Sequence, residues 1–284
     1  MRLPWDDIID YAIFTGNMLQ CIVLSDTVNG EGAPMRDTIE TELQAVEATH
    51  NVRILMAVES GSRAWGFASP DSDYDVRFIY VHPLTTYLRL NPPRDVLEWQ
   101  LDDVLDINGW DLRKALTLLR TSNPTLFEWC ASPIIYRDTP EAHALRALCP
   151  HCFSVKKALC HYIHMAERNR HAYLTGPTVR LKKYFYVLRP LLAAQWIDER
   201  KTPPPMRFTD LADALLPPEL APDITRLLAQ KQSATEHDTI PRIPAFHTYI
   251  DAQLQRLADL AQSTPEHHAD WEPLNQFFLS VLNP

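Results

Sequence analysis

The sequence predicts an α+β protein: a mixed β-sheet domain with helices, followed by an all-helical C-terminal domain. Two apolar runs of strand length, residues 52–59 and 76–81, flank a polar loop, and weaker strand patterns occur at 96–100 and 104–107. From residue 111 onward the apolar residues recur at helical spacing instead. This change of pattern predicts that the sheet comes first and the helices second.

The helical half is predicted as a series of elements separated by proline breaks. The candidate helices span residues 111–120, 153–173, 178–199, 244–262 and 270–282. Pro190 falls inside one of them, and we expect it to kink or split that helix. The predicted domains therefore cover residues 35–137 and 138–284.

Residues 1–34 fit poorly with the rest of the chain. A turn-rich break at residues 28–34 ends at a second methionine, Met35. Beyond it, apolar residues at helical spacing predict a helix with Asp37 as its N-cap. Two interpretations stay open: residues 1–34 form an ordered extension, or translation of the native protein begins at Met35.

Composition narrows the class of protein. The chain has 284 residues, of which 46% are hydrophobic and 22% charged, so it is neither disordered nor a mini-protein. No run of eighteen apolar residues exists, and the first ten residues carry three aspartates where a secretory signal would be basic. Five cysteines in a long chain favour a reducing compartment. We expect a cytoplasmic protein without a membrane segment.

The loop between the first two strands combines two features of phosphate chemistry. Gly61 and Ser62 leave a buried strand, where a glycine without Cβ lets backbone and hydroxyl groups approach a phosphate closely. Asp73 and Asp75 stand two residues apart at the next strand, so their carboxylates project to one face. Such carboxylates repel unless a cation neutralises them, and Mg²⁺ typically binds through one or two carboxylates plus substrate phosphates. Each feature alone is common, but their conjunction between two apolar strands indicates metal-assisted phosphoryl or nucleotidyl transfer.

The whole segment resembles the signature of DNA polymerase beta superfamily nucleotidyltransferases, which begins Gly-Ser and ends Asp-x-Asp. The run GSRAWGFASPDSDYDVRFIYV is similar to minimal nucleotidyltransferases and, more narrowly, to the YcgL-type or RNA-ligase-associated (RlaP) family. The similarity continues through DINGWDLRKAL, SNPTLFEW, HYIHMA and LKKYFYVLRPLLAAQW, and it covers roughly residues 35–200.

The resemblance implies a nucleotidyltransferase-fold sheet and a two-metal mechanism. Asp73 and Asp75 would hold Mg²⁺ (or Mn²⁺), and a third carboxylate is expected on a later strand. Asp106, flanked by apolar residues, is the favoured third ligand; Asp111 is the alternative, unless it caps the following helix. Gly61 and Ser62 would hold the β- and γ-phosphates, whereas Arg63 would either assist them or pair with a local acid.

A basic segment stands out in this acidic chain. The net charge is −9, yet residues 153–190 carry eight basic residues against one acidic residue, a net charge of +7. Within it, Lys182 and Lys183 are the favoured ligands for triphosphate or an RNA backbone, while Phe185 belongs to an apolar stripe and is expected in the core. The alternative is an exposed amphipathic face without a ligand.

A group of cysteines and histidines is interpreted as having no functional site. The residues are Cys149, Cys152, Cys160, His161 and His164. We interpret them as incidental residues around a helix start; zinc binding is the alternative, and helical flanks disfavour a dithiol redox motif. His267 and His268 lie in a polar stretch and are expected to face solvent.

The resemblance and the predicted site together indicate a function. The expected reaction transfers a nucleoside monophosphate from an NTP to an acceptor hydroxyl and releases pyrophosphate. An RNA end is the favoured acceptor, because the resemblance is to proteins associated with RNA ligases. The alternatives are a protein acceptor, as in an AMPylating antitoxin, and a catalytically silent relative that senses nucleotide.

Overall fold

The computed structural model describes residues 32–69, 72–100, 104–233 and 238–283. The chain divides into two compact units, residues 1–37 and 38–284. Both interpretations of residues 1–34 concern a segment that lies outside the described residues, apart from its last three. Helix α1 spans Gly32–His50. The predicted N-cap is therefore wrong, because Asp37 lies inside this helix rather than at its start.

The sheet contains five strands in the order β3-β4-β2-β1-β5. Their bounds are Arg53–Glu59 for β1, Tyr74–Val81 for β2, Val96–Gln100 for β3, Leu105–Asp111 for β4 and Ile135–Asp138 for β5. Strands β2 and β4 run parallel, and every other neighbouring pair is antiparallel. The predicted mixed sheet with helices is thus confirmed, with β5 as an edge strand that the sequence did not indicate.

Short helices connect the strands and cover the sheet. They are α2 at Gly61–Ala64, α3 at Leu84–Tyr87, α4 at Leu112–Arg120, α5 at Pro124–Cys130 and α6 at Pro140–Cys152. Asp111 caps α4: its carboxylate accepts a hydrogen bond from the Arg113 backbone N–H at 2.8 Å and another from the Tyr87 hydroxyl at 2.6 Å. Of the two interpretations of Asp111, the helix cap is therefore the one the structure shows.

The second half is mainly helical. Its helices are α7 at Val155–Tyr173, α8 at Leu181–Arg200, α9 at Phe208–Leu215, α10 at Ala221–Ser233, α11 at Pro244–Ser263 and α12 at Glu272–Leu282. It is not all-helical as predicted, because β6 (Thr178–Arg180) pairs antiparallel with β7 (Thr239–Pro241). Strands of three residues are too short to show an alternating pattern in the sequence.

Helix α8 runs unbroken through Pro190, so of the two expected effects the split is wrong and the kink stays a prediction. A proline inside a helix costs roughly 3 kcal/mol, because it removes a hydrogen bond and crowds the preceding turn. Here the proline is buried, and the helix around it packs against α7, α9, α10 and α11. This burial on several sides offsets the local cost, which no pattern within the helix itself reveals.

Two apolar cores stabilise residues 38–284. One lies between the sheet and α4, α5, α6 and α12, and the other is built around α8. Phe185 is fully buried in the second core, as predicted. Phe67, from the loop between β1 and β2, reaches into the same core and stacks on Phe185 at a centroid distance of 5.1 Å. The loop that carries the predicted phosphate motif is therefore fixed to the helical half.

Among the residues described, no helix has both the length and the apolar character needed to cross a bilayer. Strand β5 contains both residues of the predicted domain boundary, at 137 and 138. That boundary stays a prediction.

Candidate active site

The loop after β1 turns at a glycine that nothing larger could replace. Gly61 has φ +60°, a left-handed conformation that disfavours side chains with a Cβ. A Cβ built on Gly61 would lie 2.0 Å from Oδ2 of Asp75, which is far inside contact distance. The backbone at Gly61 thus lies directly against the carboxylate of Asp75, and this close approach explains the Gly-Ser start of the motif.

Arg63 links the two ends of the loop between β1 and β2. Its guanidinium donates to the backbone carbonyls of Ser72 at 2.7 Å and Asp73 at 3.0 Å. The same group lies over the ring of Tyr74, 3.6 Å from the centroid. Arg63 therefore joins the two ends of the loop through main-chain carbonyls. The sequence had left two other roles open for this residue, namely binding of the phosphates together with Gly61 and Ser62, or pairing with a local acid.

A pocket opens beside this loop. It is lined by Gly61, Ser62, Trp65, Phe67, Ser72, Asp73, Asp75, Lys182, Tyr186 and Lys231. Five of the predicted site residues, namely Gly61, Ser62, Asp73, Asp75 and Lys182, thus meet at one place. The other three predicted residues, Arg63, Asp106 and Lys183, do not line the pocket.

The two aspartates give the pocket an acidic side. Burial raises the pKa of Asp75, and the nearby carboxylates of Asp106 and Asp73 raise it further, while Arg77 lowers it. A half-buried carboxylate among other carboxylates is stabilised by any cation that reaches it. The metal role that the spacing of Asp73 and Asp75 indicates stays a prediction.

Asp106 lies beside Asp75 but faces an arginine. The parallel register pairs the two residues directly across β2 and β4. The Asp106 carboxylate accepts a hydrogen bond from Arg77 at 2.7 Å, and Arg77 also donates to Asp75 at 2.9 Å. No group of three or more histidine, cysteine, aspartate or glutamate side chains in the described part of the chain is arranged to hold a metal ion. The role of Asp106 as a third ligand stays a prediction.

The basic side of the pocket comes from the helical half. Lys182, in the first turn of α8, lines the pocket, but Lys183 packs against two rings. The Lys183 Nζ lies 3.9 Å from the centroid of Tyr173 and 4.6 Å from that of Tyr186. The structure adds Lys231 of α10, which is only 8% exposed and donates to the Ser69 hydroxyl at 3.3 Å.

Lys231 had no recognisable signal in the sequence. It lies in an ordinary helical run, more than 150 residues after the motif, and only the packing of α10 brings it to the loop. A lysine close to a pocket that also holds Ser62 and Lys182 provides positive charge where a polyphosphate would bind.

A buried glutamate supports Asp75 from behind. Glu59, the last residue of β1, has no exposed surface. Its carboxylate accepts hydrogen bonds from the Asp75 backbone N–H at 2.7 Å and from the Tyr136 hydroxyl. Burial raises the pKa of Glu59 to about 7. We did not predict this residue. The signal present in the sequence was an acidic residue at the end of an otherwise apolar strand.

The cysteine group does not form a second site. Cys149 and Cys152 are buried in the last turn of α6, directly before the start of α7 at Val155. A hydrogen bond with Cys130 and burial raise the pKa of the Cys149 thiol, which makes it a weak nucleophile. The described residues contain no cluster that would bind zinc. His267 and His268 are exposed, as predicted.

Comparison with known proteins places the chain. A family model for the "RNA repair pathway DNA polymerase beta family" (RlaP) matches residues 35–280. The chain is 44% identical over 251 residues to the uncharacterized protein YcgL of Bacillus subtilis (strain 168), a match that covers 87% of this chain and 96% of that protein. A crystal structure of a nucleotidyltransferase-like protein from Exiguobacterium sibiricum 255-15 is 13% identical and covers 88% of this chain and 80% of that one; its TM-score of 0.31 is too low to carry an argument.

The family match puts the chain in the class of polymerase-beta-like nucleotidyltransferases. More narrowly, the chain belongs to the RNA repair pathway DNA polymerase beta family, RlaP. The resemblance found in the sequence is confirmed, and the matched region continues 80 residues beyond residue 200, where the predicted similarity became weak.

Gly61→Ala should weaken the site, because the new methyl group would displace the Asp75 carboxylate. We expect affinity for Mn²⁺, measured by titration of the full chain, to fall at least about tenfold. Gly66→Ala is the matched control: Gly66 also has positive φ, at +81°, but a Cβ there would meet no atom nearer than 4.0 Å. Equal effects of the two substitutions would show that backbone strain alone is responsible.

The pKa of Glu59 makes stability depend on pH. Because burial raises this pKa from 4.5 to about 7, the folded state keeps a proton that the unfolded chain releases. The resulting stabilisation is fully present below pH 4.5 and is lost as the pH rises through 7. We expect the free energy of unfolding to fall by up to about 3 kcal/mol across this window. Urea denaturation at pH 5 and pH 7.5 measures this change. The Glu59→Gln variant, which cannot titrate at this position, should not show it. An equal dependence of the unfolding free energy on pH in both proteins would contradict the assignment to Glu59.

Proposed function

We propose that this protein is a metal-dependent nucleotidyltransferase that transfers a nucleoside monophosphate from an NTP to a hydroxyl group at an RNA end. The observation that carries the proposal is the composition of one pocket. Gly61 and Ser62 lie beside the carboxylates of Asp73 and Asp75, and Lys182 lines the same pocket. Phosphate-binding groups next to cation-binding groups are the two requirements of this reaction.

The reaction exchanges one bond to phosphorus for another. The acceptor hydroxyl oxygen attacks the α-phosphorus and loses its proton to water. The bond from the α-phosphorus to the bridging oxygen breaks, and pyrophosphate leaves with the electron pair. Negative charge grows on both the entering and the leaving oxygen, so groups that compensate this charge lower the barrier.

The residues present fit a divalent cation. Asp73 and Asp75 line the pocket and offer carboxylate oxygens, which Mg²⁺ and Mn²⁺ prefer, and the missing Cβ of Gly61 lets the Asp75 carboxylate pack against the loop. Asp73 and Asp75 would hold the ion. When bound, a divalent cation neutralises phosphate charge and stabilises the entering and leaving oxygens.

The chain's own groups would position the nucleotide. The Ser62 hydroxyl and the Gly61 backbone would contact the β- and γ-phosphates, while Lys182 and Lys231 supply positive charge to the same phosphates. Glu59 holds the backbone of Asp75, so the carboxylate stays at the edge of the pocket. Trp65 and Tyr186 line the pocket on its aromatic side.

An RNA end is favoured over a protein acceptor. The family description names an RNA repair pathway, and residues 153–190, with a net charge of +7, would attract a phosphate backbone. A protein acceptor and a silent nucleotide sensor remain outcomes that the same experiment separates.

The test incubates purified protein and Mg²⁺ with each α-labelled NTP, together with total RNA or with cell lysate. The expected result is label in RNA, abolished in the Asp73→Asn, Asp75→Asn double variant. Label in protein would assign the alternative acceptor. NTP binding without any transfer would overturn the proposed activity in favour of nucleotide sensing.

The lysines that line the pocket should act on nucleotide binding. We expect Lys182→Met and Lys231→Met each to raise the KM for NTP roughly tenfold, since each removes a charged partner of the polyphosphate. Lys183→Met is the matched control, because Lys183 packs on Tyr173 and Tyr186 instead of lining the pocket. Steady-state kinetics measure all three variants. An increase for Lys183→Met as large as the other two would contradict the division of roles.

A further inference from the structure

Arg77 is held between two of the predicted metal ligands. It lies two residues after Asp75 on β2, so both side chains project from the same face of the strand. One nitrogen of its guanidinium donates to Oδ1 of Asp75 at 2.9 Å and to Oδ2 of Asp106 at 2.7 Å. The other nitrogen donates to the carbonyls of Val76 and Asp106, each at 3.0 Å.

Four hydrogen bonds to two strands make this arrangement part of the sheet. The Arg77 side chain is 17% exposed, whereas that of Asp106 is 48% exposed. A surface ion pair would lose geometry easily, but a guanidinium that also donates to main-chain carbonyls is fixed by the backbone of β2 and β4. Arg77 therefore lies at a defined position beside Asp75.

The two oxygens of Asp75 have different surroundings. Oδ1 accepts the hydrogen bond from Arg77, and Oδ2 lies against Gly61, at the side of the phosphate loop. Asp75 lines the pocket, but neither Arg77 nor Asp106 does. One oxygen of Asp75 is thus engaged by a cation that the chain itself provides, and the other lies beside Gly61, a residue that also lines the pocket.

We propose that Arg77 replaces one metal ion of a two-metal site, so that the protein binds a single divalent cation through Asp73 and Asp75. Asp106 is then the partner that fixes Arg77, and it is not a metal ligand. Arg77 is a positioning residue that acts through Asp75. This inference rests on the proposed metal-dependent function. Counting the bound ions distinguishes the failure of the inference from the failure of the proposed function.

Charge supports one ion instead of two. The guanidinium is a cation that donates to both carboxylates, so it compensates the charge of the Asp75–Asp106 pair. A second divalent cation between these carboxylates would meet a fixed like charge within a few ångströms. The Asp106 carboxylate is engaged by Arg77, so it is not available as a third ligand in this arrangement.

The test counts ions on the full chain. Mn²⁺ is titrated into purified protein, without nucleotide and with one equivalent of α,β-methylene-ATP, and free Mn²⁺ is followed by its paramagnetic resonance signal. The expected result is one bound ion per chain. Two ions per chain in the unmodified protein would overturn the inference while leaving metal-dependent transfer intact. No bound ion in either condition would overturn both this inference and the proposed function.

Two variants separate the roles of the acids. Asp106→Asn should leave the Kd for Mn²⁺ within about threefold, whereas Asp73→Asn should raise it more than about tenfold. A loss with Asp106→Asn equal to that with Asp73→Asn would overturn the inference. Arg77→Met should admit a second ion if it folds, and Arg77→Lys, which keeps the charge, should not.

Discussion

The negative charge at the start of β2 sets the requirements that the surrounding structure meets. Asp73 and Asp75 are joined there by Asp106 across the sheet and by Glu59 at the end of β1. Carboxylates this close destabilise one another, and burial adds to the cost. Three of the four are compensated within the chain: Glu59 by hydrogen bonds and a raised pKa, Asp106 by Arg77, and Asp75 by Arg77 at one oxygen.

The loop between β1 and β2, which carries the predicted phosphate motif, is held in place by both halves of the chain. Arg63 closes the loop on itself, while Trp65 and Phe67 anchor it to the helices. The Trp65 carbonyl accepts a hydrogen bond from the Phe208 backbone, and its ring lies under the guanidinium of Arg189 at 4.7 Å. Arg189 in turn forms a buried ion pair with Glu128 of α5 at 2.9 Å. A loop with contacts on this many sides is preorganised, which a phosphate-binding segment requires.

Because the loop belongs to the helical core as much as to the sheet, the pocket needs both regions to form. The sheet contributes the acidic groups, and α8 and α10 contribute the lysines. A pocket with both signs of charge suits a substrate whose phosphates are negatively charged and also carry a bound cation. The lysines would face the phosphates, and the carboxylates would face the cation. The pocket's chemistry is thus a product of the packing of Phe67 and α10, and either half alone would present one sign of charge.

Local sequence was sufficient for the parts of this protein that depend on neighbours along the chain. The strands at 52–59 and 76–81, the Gly-Ser turn, the Asp-x-Asp pair and the family can be recognised in short runs, because strand alternation and tight turns are local properties. Tertiary structure decided the rest. Lys231 enters the pocket through helix packing, strand pairing places Asp106 against Arg77, and Pro190 is tolerated because its helix is buried. These outcomes depend on contacts between residues far apart in the chain, and no local pattern encodes which distant partner a side chain will meet.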